Sequence, residues 1–154
     1  MTARYAEGTE VPVERSRAEI EQICRRYGAT GFVSGYDERA GMVMFAASGR
    51  RVRFVVPIPD AGDSQFALDG RKQARDLAGR RRAAEQEEKR LWRALALAIK
   101  SKLEVVESGI ASFEEEFLAH IVLPDGTTFG DHAVRAVAAA YDTGELPALM
   151  PAGS

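Results

Sequence analysis

Cysteine and histidine are scarce in this sequence. A single cysteine, Cys24, stands among 154 residues, which excludes an internal disulfide and a zinc site built from several cysteines. The two histidines each have a carboxylate nearby in the chain, His120 with Glu116 and His132 with Asp131. Such pairs do not suffice, because a metal site needs three or four ligands. We therefore expect neither a metal nor a cofactor, and Cys24 is expected to be an inert core thiol.

Common catalytic and membrane signals are also missing. The sequence has no glycine-rich phosphate loop, no Gly-x-Ser-x-Gly elbow and no His-Glu-x-x-His pair, so no enzyme activity is expected. No apolar run approaches the roughly 18 residues that a membrane-spanning helix needs, and the first residues lack the apolar core of a signal peptide. We expect a cytoplasmic protein that does not bind membranes.

Charge is present in abundance and is segregated along the chain. The net charge of −2 combines a net +7 over residues 71–102 with a net −8 over residues 103–154. Of the 21 basic residues 17 are arginine, which high-GC codon usage also produces, so the position of the charges is the informative signal. A basic middle followed by an acidic end favours a binding protein.

Hydrophobic periodicity and turn residues predict a single α+β domain over residues 1–154. A loose lead-in over 1–12 is followed by a helix that begins at the capping box of Ser16 and Glu19 and ends at Gly28. A three-stranded antiparallel meander over 32–56, with a tight turn at Ser48 and Gly49, then leads through a linker over 60–70 to a long helix over 71–108. The expected C-terminal part consists of a helix capped by Ser112, a short hairpin around 124–126, a helix capped by Asp131 and ended by Gly144, and an extended tail over 145–154.

The long helix is expected to have two unlike halves. Its second half carries an apolar stripe for the core, with Trp92 beside it, formed by Leu91, Leu95, Ile99, Leu103 and Val106. Residues 71–90 have little apolar content and are expected to form a solvated helical arm that burial alone does not hold. In the last helix, the side chains expected to face inward are Val134, Val137, Ala138 and Tyr141.

Eight segments of the chain carry a resemblance to known proteins: VERSRAEIE (13–21), RRYGA (25–29), GRRVRF (49–54), WRAL (92–95), IKSKLE (99–104), SFEEEFL (112–118), IVLPDG (121–126) and GELP (144–147). In these segments the chain resembles a family of short, uncharacterised bacteriophage and prophage proteins. The resemblance extends over most of the chain, and residues 60–88 depart most from the family pattern. The resemblance implies a phage or prophage protein in a bacterial cytoplasm, where small proteins handle DNA or interfere with host defence. It implies no activity and no site residue.

Six cations predict a basic stripe on the long helix. If the helix is unbroken, these residues fall within roughly 40° of one another around its axis. They are Arg71, Arg75, Arg82, Lys89, Arg93 and Lys100. Arg51 and Arg53 on the exposed sheet face, with Arg50 at the hairpin, extend the track. Aligned guanidinium groups can follow a phosphate backbone without reading bases.

The first function expected is therefore that of a small, non-catalytic phage accessory protein that binds nucleic acid, in particular DNA, through these residues. Two other interpretations of the stripe stay open. One is a solvated face with local ion pairs such as Glu85 with Lys89, and the other is a contact surface for a protein.

The second function expected is that of an inhibitor or adaptor that binds a host defence or replication protein. Its candidate partner-binding residues are Glu114, Glu115 and Glu116, which could contact a basic partner or the basic stripe of a second copy in a homo-oligomer. The same carboxylates also favour the dipole at the start of a helix, which is a structural explanation for them.

The aromatic residues divide into two groups. Phe32, Phe54 and Trp92 are expected in the core. Tyr36 lies next to a predicted turn and is the candidate for stacking on a base, because stacking needs an exposed ring beside cations.

Overall fold

The computed structural model describes residues 4–145 and shows an α+β fold in the predicted order. Its elements are α1 (Val13–Arg26), β1 (Thr30–Tyr36), β2 (Ala40–Ala47), β3 (Arg50–Pro57), α2 (Leu77–Glu107), α3 (Phe113–Phe117) and α4 (Phe129–Thr143), with 3-10 turns at Ser64–Phe66 and Leu118–His120. Residues 4–12 form neither helix nor strand, in agreement with the predicted lead-in. All but Glu145 of the predicted tail lies outside the described residues.

The predicted meander is confirmed as an antiparallel sheet with the order β1-β2-β3. Ser48 and Gly49 connect β2 to β3 with φ angles of 51° and 72°, the left-handed pair that a two-residue hairpin requires. Alternation along the strands separates two faces of the sheet. The buried face consists of Val43, Phe45, Val52, Phe54 and Val56.

The core lies between this buried face and the helices α1, α2 and α3. Ile20 of α1, Trp92 and Ile99 of α2, and Phe117 of α3 are almost completely buried there. At Gly41 a side chain would clash with Trp92, because a Cβ atom would lie 2.4 Å from the indole ring. The absence of a side chain at residue 41 therefore permits α2 to approach the sheet closely.

Helix α1 begins earlier than the capping box predicts. Its first residue is Val13, Pro12 occupies the N-cap, and Ser16 lies inside the helix with its side chain fully buried. Ser16 shares a helical face with Ile20 and Cys24, so packing of that face against the core buries it. The predicted end is confirmed, because Gly28 follows the helix with φ 82°.

Helix α2 begins at Leu77, six residues later than predicted. Asp76 caps it by accepting a 2.7 Å hydrogen bond from the Gly79 backbone N–H. Residues 71–76 belong instead to a folded loop, and the preceding segment is more than a linker because Phe66 is buried within it. The helix ends at Glu107, one residue before the predicted end, with Ser108 as the C-cap and Gly109 in the predicted position after it with φ 73°.

Polar contacts to the lead-in hold the first half of α2 in place. The Gln86 side-chain amide donates to the Thr9 carbonyl at 2.7 Å, and the Arg90 guanidinium donates to the Tyr5 carbonyl at 3.3 Å. Ala84 is buried at the same level of the helix. The expectation of a solvated arm is therefore wrong beyond about residue 83, because the lead-in covers this half.

The predicted C-terminal hairpin is present, but it consists of a single antiparallel bridge, between Val122 and Thr128. Ser112 caps α3 with the predicted capping box. Thr128, rather than the predicted Asp131, is the N-cap of α4, and Asp131 supplies the carboxylate of that capping box. Gly144 ends α4 with φ 73°, as predicted.

The inward face predicted for α4 is wrong. The four residues Val134, Val137, Ala138 and Tyr141 are all exposed, and Ala136 is the buried one. The reason is that α4 packs mainly on the turn at Leu118–His120 and not on the core, so no core surface lies opposite the predicted face. At the first turn of α4 an added Cβ on Gly130 would lie 2.7 Å from the Ala119 carbonyl oxygen, which shows how closely the helix approaches that turn.

Candidate nucleic-acid interface

Arg71 and Arg75 of the predicted stripe lie in the loop before α2. Leu68 and Ala74 form a bridge that closes this loop, and the Asp69 carboxylate accepts the Arg71 backbone N–H at 2.8 Å. The Arg75 guanidinium turns back and donates to the Leu68 carbonyl at 2.9 Å. A continuous helical stripe is therefore not formed, because Asp69 and Asp76 favour a turn and a cap over helix in this segment.

The loop and the first turns of α2 nevertheless concentrate positive charge. Residues 71–82 contain six cations and one carboxylate. We call the six the cationic end: Arg71, Lys72, Arg75, Arg80, Arg81 and Arg82. None of them forms an ion pair within residues 4–145. Four of them are exposed, and Arg75 and Arg80 are half-buried.

The other stripe residues have different surroundings. Arg93 forms an ion pair with Glu19 of α1, and Lys100 is exposed. Helix α1 packs along α2 beside this part of the stripe and lines a groove of about 290 Å³ with both cations. Packing of α1 against α2 therefore leaves Lys100 exposed but neutralises Arg93, so the stripe residues are not equally available for phosphate contact.

Lys89 lies in a cleft with several carboxylates. The cleft has a volume of about 390 Å³ and is lined by Glu14, Glu85 and Glu88 in addition to Lys89. Burial of the Glu88 side chain, and then the charges of Glu14 and Glu85, raise the pKa of the Glu88 carboxyl. Two carboxylates of α2, Glu85 and Glu88, therefore lie beside Lys89 and not at the cationic end.

Glu87 faces another side of α2 and is paired. Its carboxylate lies 2.6 Å from the Arg90 guanidinium and 3.5 Å from that of Arg4. The hydrogen bonds from Arg90 hold the pKa of Glu87 below its usual value, although burial opposes this. This group therefore belongs to the contact between α2 and the lead-in.

The three sheet arginines are also unlike one another. Arg50 pairs with Glu114 of α3 at 3.2 Å. Arg51 is exposed and Arg53 is half-buried, and neither forms an ion pair within the described range. The charge of Arg53 contributes, after the hydrogen bonds from Thr128, to the lowered pKa of Asp131.

The sheet arginines and the cationic end lie at opposite ends of the molecule. Trp92 contacts Gly41 at one end of the sheet, and Glu114 pairs with Arg50 at the other end. The cationic end starts about 15 Å beyond Trp92 along the axis of α2, at about 1.5 Å per residue. Arg51 lies next to Arg50 in the strand, so the fold does not join the two groups into one track.

Each of the three glutamates at the start of α3 has a structural partner. The Glu115 carboxylate accepts the Ser112 backbone N–H in the capping box at 2.9 Å. Glu114 pairs with Arg50, and Glu116 lies 3.4 Å from the ammonium of Lys102. Local structure accounts for these carboxylates, which gives little support to a separate partner-binding role.

Of the aromatic residues assigned from the sequence, those of the sheet and of α2 lie as predicted, whereas Tyr141 of α4 is exposed instead of inward-facing. Trp92 and Phe54 are buried and Phe32 is half-buried, whereas Tyr36 is 75% exposed. The Arg17 guanidinium carbon lies 5.6 Å from the ring centre of Tyr36 and 5.6 Å from that of Trp92. One face of Tyr36 therefore already has a cationic neighbour.

The histidines and the cysteine have structural surroundings. His120 stacks on Phe54 with 4.1 Å between ring centres, and burial lowers its pKa. The His132 ring nitrogen lies 2.8 Å from the Thr127 hydroxyl. Burial raises the pKa of Cys24 to about 12. Among the described residues, no group of three or more potential ligands could hold a metal ion.

Lys72, Arg80 and Arg81 belong to the cationic end but not to the stripe predicted from the sequence. A helical projection excludes them because, at about 100° per residue, each of the three falls outside the narrow arc that the six stripe cations occupy. The signal that could have found them is density: six cations occur within twelve residues. Charge per segment is the better guide where a helix end projects from the fold.

Residues 4–145 contain no helix that is both long enough and apolar enough to cross a membrane. Comparisons of the chain with protein-family models, with curated proteins and with solved structures found no match. The assignment of the site therefore depends on its geometry and charge.

Proposed function

We propose that the protein is a small, non-catalytic nucleic-acid-binding protein that contacts the phosphate backbone of DNA through the cationic end. The observation that carries the proposal is the charge of residues 71–82, six cations against one carboxylate, with no ion pair to neutralise them among the described residues. A phage or prophage setting, which the sequence resemblance implies, is consistent with such a role.

The shape of this region supports contact with phosphates. Arg71 and Lys72 are presented at the tip of the closed loop, and Arg81 and Arg82 extend from the first turns of α2. Guanidinium groups bind phosphate oxygens bidentately, and several at one end of a molecule follow a backbone without selecting bases. Binding is therefore expected to be independent of sequence and strongly dependent on salt.

Arg75 has a supporting role in this proposal. Its guanidinium bonds to the carbonyls of Phe66 and Leu68, which closes the base of the loop that presents Arg71 and Lys72. Replacement of Arg75 is expected to disturb the loop as well as remove a charge. It is therefore a poor choice for a binding test.

The test uses Arg81→Gln combined with Arg82→Gln, and measures anisotropy of a labelled DNA duplex from about 50 to about 200 mM salt. The plot of log affinity against log salt is expected to lose about 2 units of slope, at about 0.9 for each lost phosphate contact. The matched control is Arg15→Gln with Arg26→Gln, which removes two exposed charges from α1 and is expected to keep the slope.

Two results would reject the proposal. One is a wild-type protein that does not bind DNA even at the lowest salt. The other is an equal loss of slope in the control pair, which would show that binding follows net charge and has no preferred end. An additional variant, Arg51→Gln, is expected to bind like the wild type because Arg51 lies far from the cationic end.

A second candidate function is that of an adaptor or inhibitor that binds another protein, and the outer face of the sheet favours it. Val33 and Val55 on this face are 51% and 62% exposed, with Met42 and Met44 between them, and Arg51 at the edge. Such a face fits an apolar surface rimmed with carboxylates. Co-purification with wild type but not with Val55→Asp would support this function, and equal recovery would contradict it.

A further inference from the structure

Helix α4 has two apolar faces, and the fold uses one of them. Ala136 is buried against the rest of the chain. The second face is exposed and consists of Val134, Val137, Ala138 and Tyr141. We call it the α4 stripe.

The α4 stripe has the spacing of a helix-packing surface. Its members follow the pattern i, i+3, i+4 and i+7, which aligns them along one side of a helix. Val134 is 69% exposed, Val137 50% and Tyr141 88%. An apolar face of this kind on a helix commonly marks a contact with another macromolecule.

The stripe is symmetric about the midpoint between Val137 and Ala138. If two α4 helices cross antiparallel at this point, Val134 faces Tyr141 of the partner subunit and Val137 faces Ala138 of the partner subunit. Large and small side chains then alternate, as in a packed helix pair. The same four residues therefore fit a second copy of themselves.

The charges at one edge of the stripe select the antiparallel arrangement. Arg135 and Asp142 both lie on that edge, both are exposed, and neither is in an ion pair within the described residues. In an antiparallel pair like edges meet, so Arg135 faces Asp142 of the partner subunit, twice by symmetry. In a parallel pair this edge would meet the opposite one, which carries Ala133 and Ala140.

We propose that α4 is a self-association helix, through which two copies of the chain form an antiparallel pair. A helix of 15 residues is about 22 Å long, so the buried area falls below about 1,200 Å². An interface of that size predicts a weak dimer that forms as concentration rises. The proposal is independent of the function proposed for the cationic end.

The test is analytical ultracentrifugation of the full chain from micromolar to millimolar concentration, with charge-reversed variants. Asp142→Arg places Arg against Arg, and Arg135→Asp places Asp against Asp, so each variant alone is expected to dimerise about tenfold or more weakly. A mixture of the two restores both ion pairs in a heterodimer and is expected to recover wild-type association. Circular dichroism verifies that each variant is folded.

A second comparison examines the apolar contact. Tyr141→Ser is expected to abolish the dimer, and Leu77→Ser, which removes an apolar side chain of 59% exposure elsewhere, is expected to leave it unchanged. A wild type that stays monomeric at all concentrations would overturn the proposal. So would a dimer that none of the α4 variants affects.

The other occupant to be distinguished is the segment 146–154 of the same chain. A chain that ends at Glu145 and dimerises, while the full chain stays monomeric, would assign the stripe to that segment and overturn the proposal. Equal dimerisation of both chains supports it.

Discussion

Single residues in this protein show how closely the sheet and helices fit. Gly41 lies in the central strand, and a Cβ atom there would overlap the ring of Trp92, which is 1% exposed. Gly35 lies in β1 with nothing within 4 Å of its own added Cβ. The two glycines look alike in the sequence, and the difference between them arises from the packing of α2 on the sheet.

We expect Gly41→Ala to lower the free energy of unfolding by about 2 kcal/mol, because the buried indole must shift to admit a methyl group. The measurement is urea denaturation followed by circular dichroism. Gly35→Ala is the control and is expected to match or slightly exceed the wild type, since alanine has the lower backbone entropy cost. Equal stability of the two variants would show that α2 does not approach the sheet this closely.

Cys24 shows the effect of burial on a titratable group. Its pKa rises to about 12 because burial disfavours the thiolate, with a smaller contribution from Glu21. The folded thiol stays protonated where an unfolded one ionises, near pH 9. Its contribution to stability is therefore complete below about pH 9 and is lost as the pH rises from there towards 12.

Two measurements check this behaviour. The folded protein is expected to be unreactive towards a thiol reagent at pH 8, and one thiol per chain is expected to react in urea. Between pH 9 and 11 the wild type is expected to lose stability relative to Cys24→Ala, by up to about 1.4 kcal/mol per pH unit. Fast labelling of the folded protein at pH 8 would mean that α1 does not bury this residue.

At the scale of elements, the sequence predicts type and order well and contacts poorly. The meander, the turn at Ser48 and Gly49, and the capping box at Ser112 depend on neighbouring residues, which local patterns describe. Helix α1 starts earlier than predicted, and Ser16 is buried inside it by packing instead of capping it. Helix α2 starts later than predicted because a loop occupies the residues before Asp76, which caps the helix. The burial of Ser16 depends on contacts that are distant in the chain, whereas the turn at Asp69 and the cap at Asp76 are local and outweigh the helical pattern of residues 71–76.

The first half of α2 offers a test of a polar contact. Glu87 is 11% exposed and pairs with Arg90, so Arg90→Met leaves a nearly buried carboxylate without its main partner. We expect a loss of about 3 kcal/mol in unfolding free energy at pH 7, and a smaller loss when Glu87→Gln is added. Urea denaturation of the wild type, the two single variants and the double variant gives the coupling free energy between Glu87 and Arg90.

The pH dependence gives an independent check of the same pair. The pKa of Glu87 is lowered in the folded protein, so its contribution is present at neutral pH and is lost as the pH falls through that lowered pKa. The destabilisation caused by Arg90→Met should therefore shrink in acid. A constant difference from neutral to acid pH would contradict an ionic role for the pair.

At the scale of the whole molecule, the fold consists of one core with α4 attached at its edge. Residues from α1, β2, β3, α2 and α3 share the core, whereas α4 contributes none to it. The contact of α4 with the chain is mainly through the turn at Leu118–His120, including Gly130 against Ala119. Local opening of α4 should cost less free energy than global unfolding.

We expect native-state hydrogen exchange in dilute solution to show this difference. The amides of α4 should exchange at a free energy below that of unfolding, and those around Ile99 in α2 should exchange only with global unfolding. Trp92 fluorescence and far-ultraviolet circular dichroism should report coincident denaturant midpoints for the core. Equal protection of both helices would show that α4 belongs to the cooperative core.

The residue pattern of the chain accounts for its fold class, the order of its elements, the buried aromatic residues and the unequal distribution of charge, because these follow from local propensity and composition. Tertiary packing settled which cations are neutralised, with Arg93 next to Glu19 and Arg50 next to Glu114. It also settled which face of α4 is exposed. Ion pairs and buried faces join residues far apart in the chain, so their partners exist only once the helices and the sheet have packed.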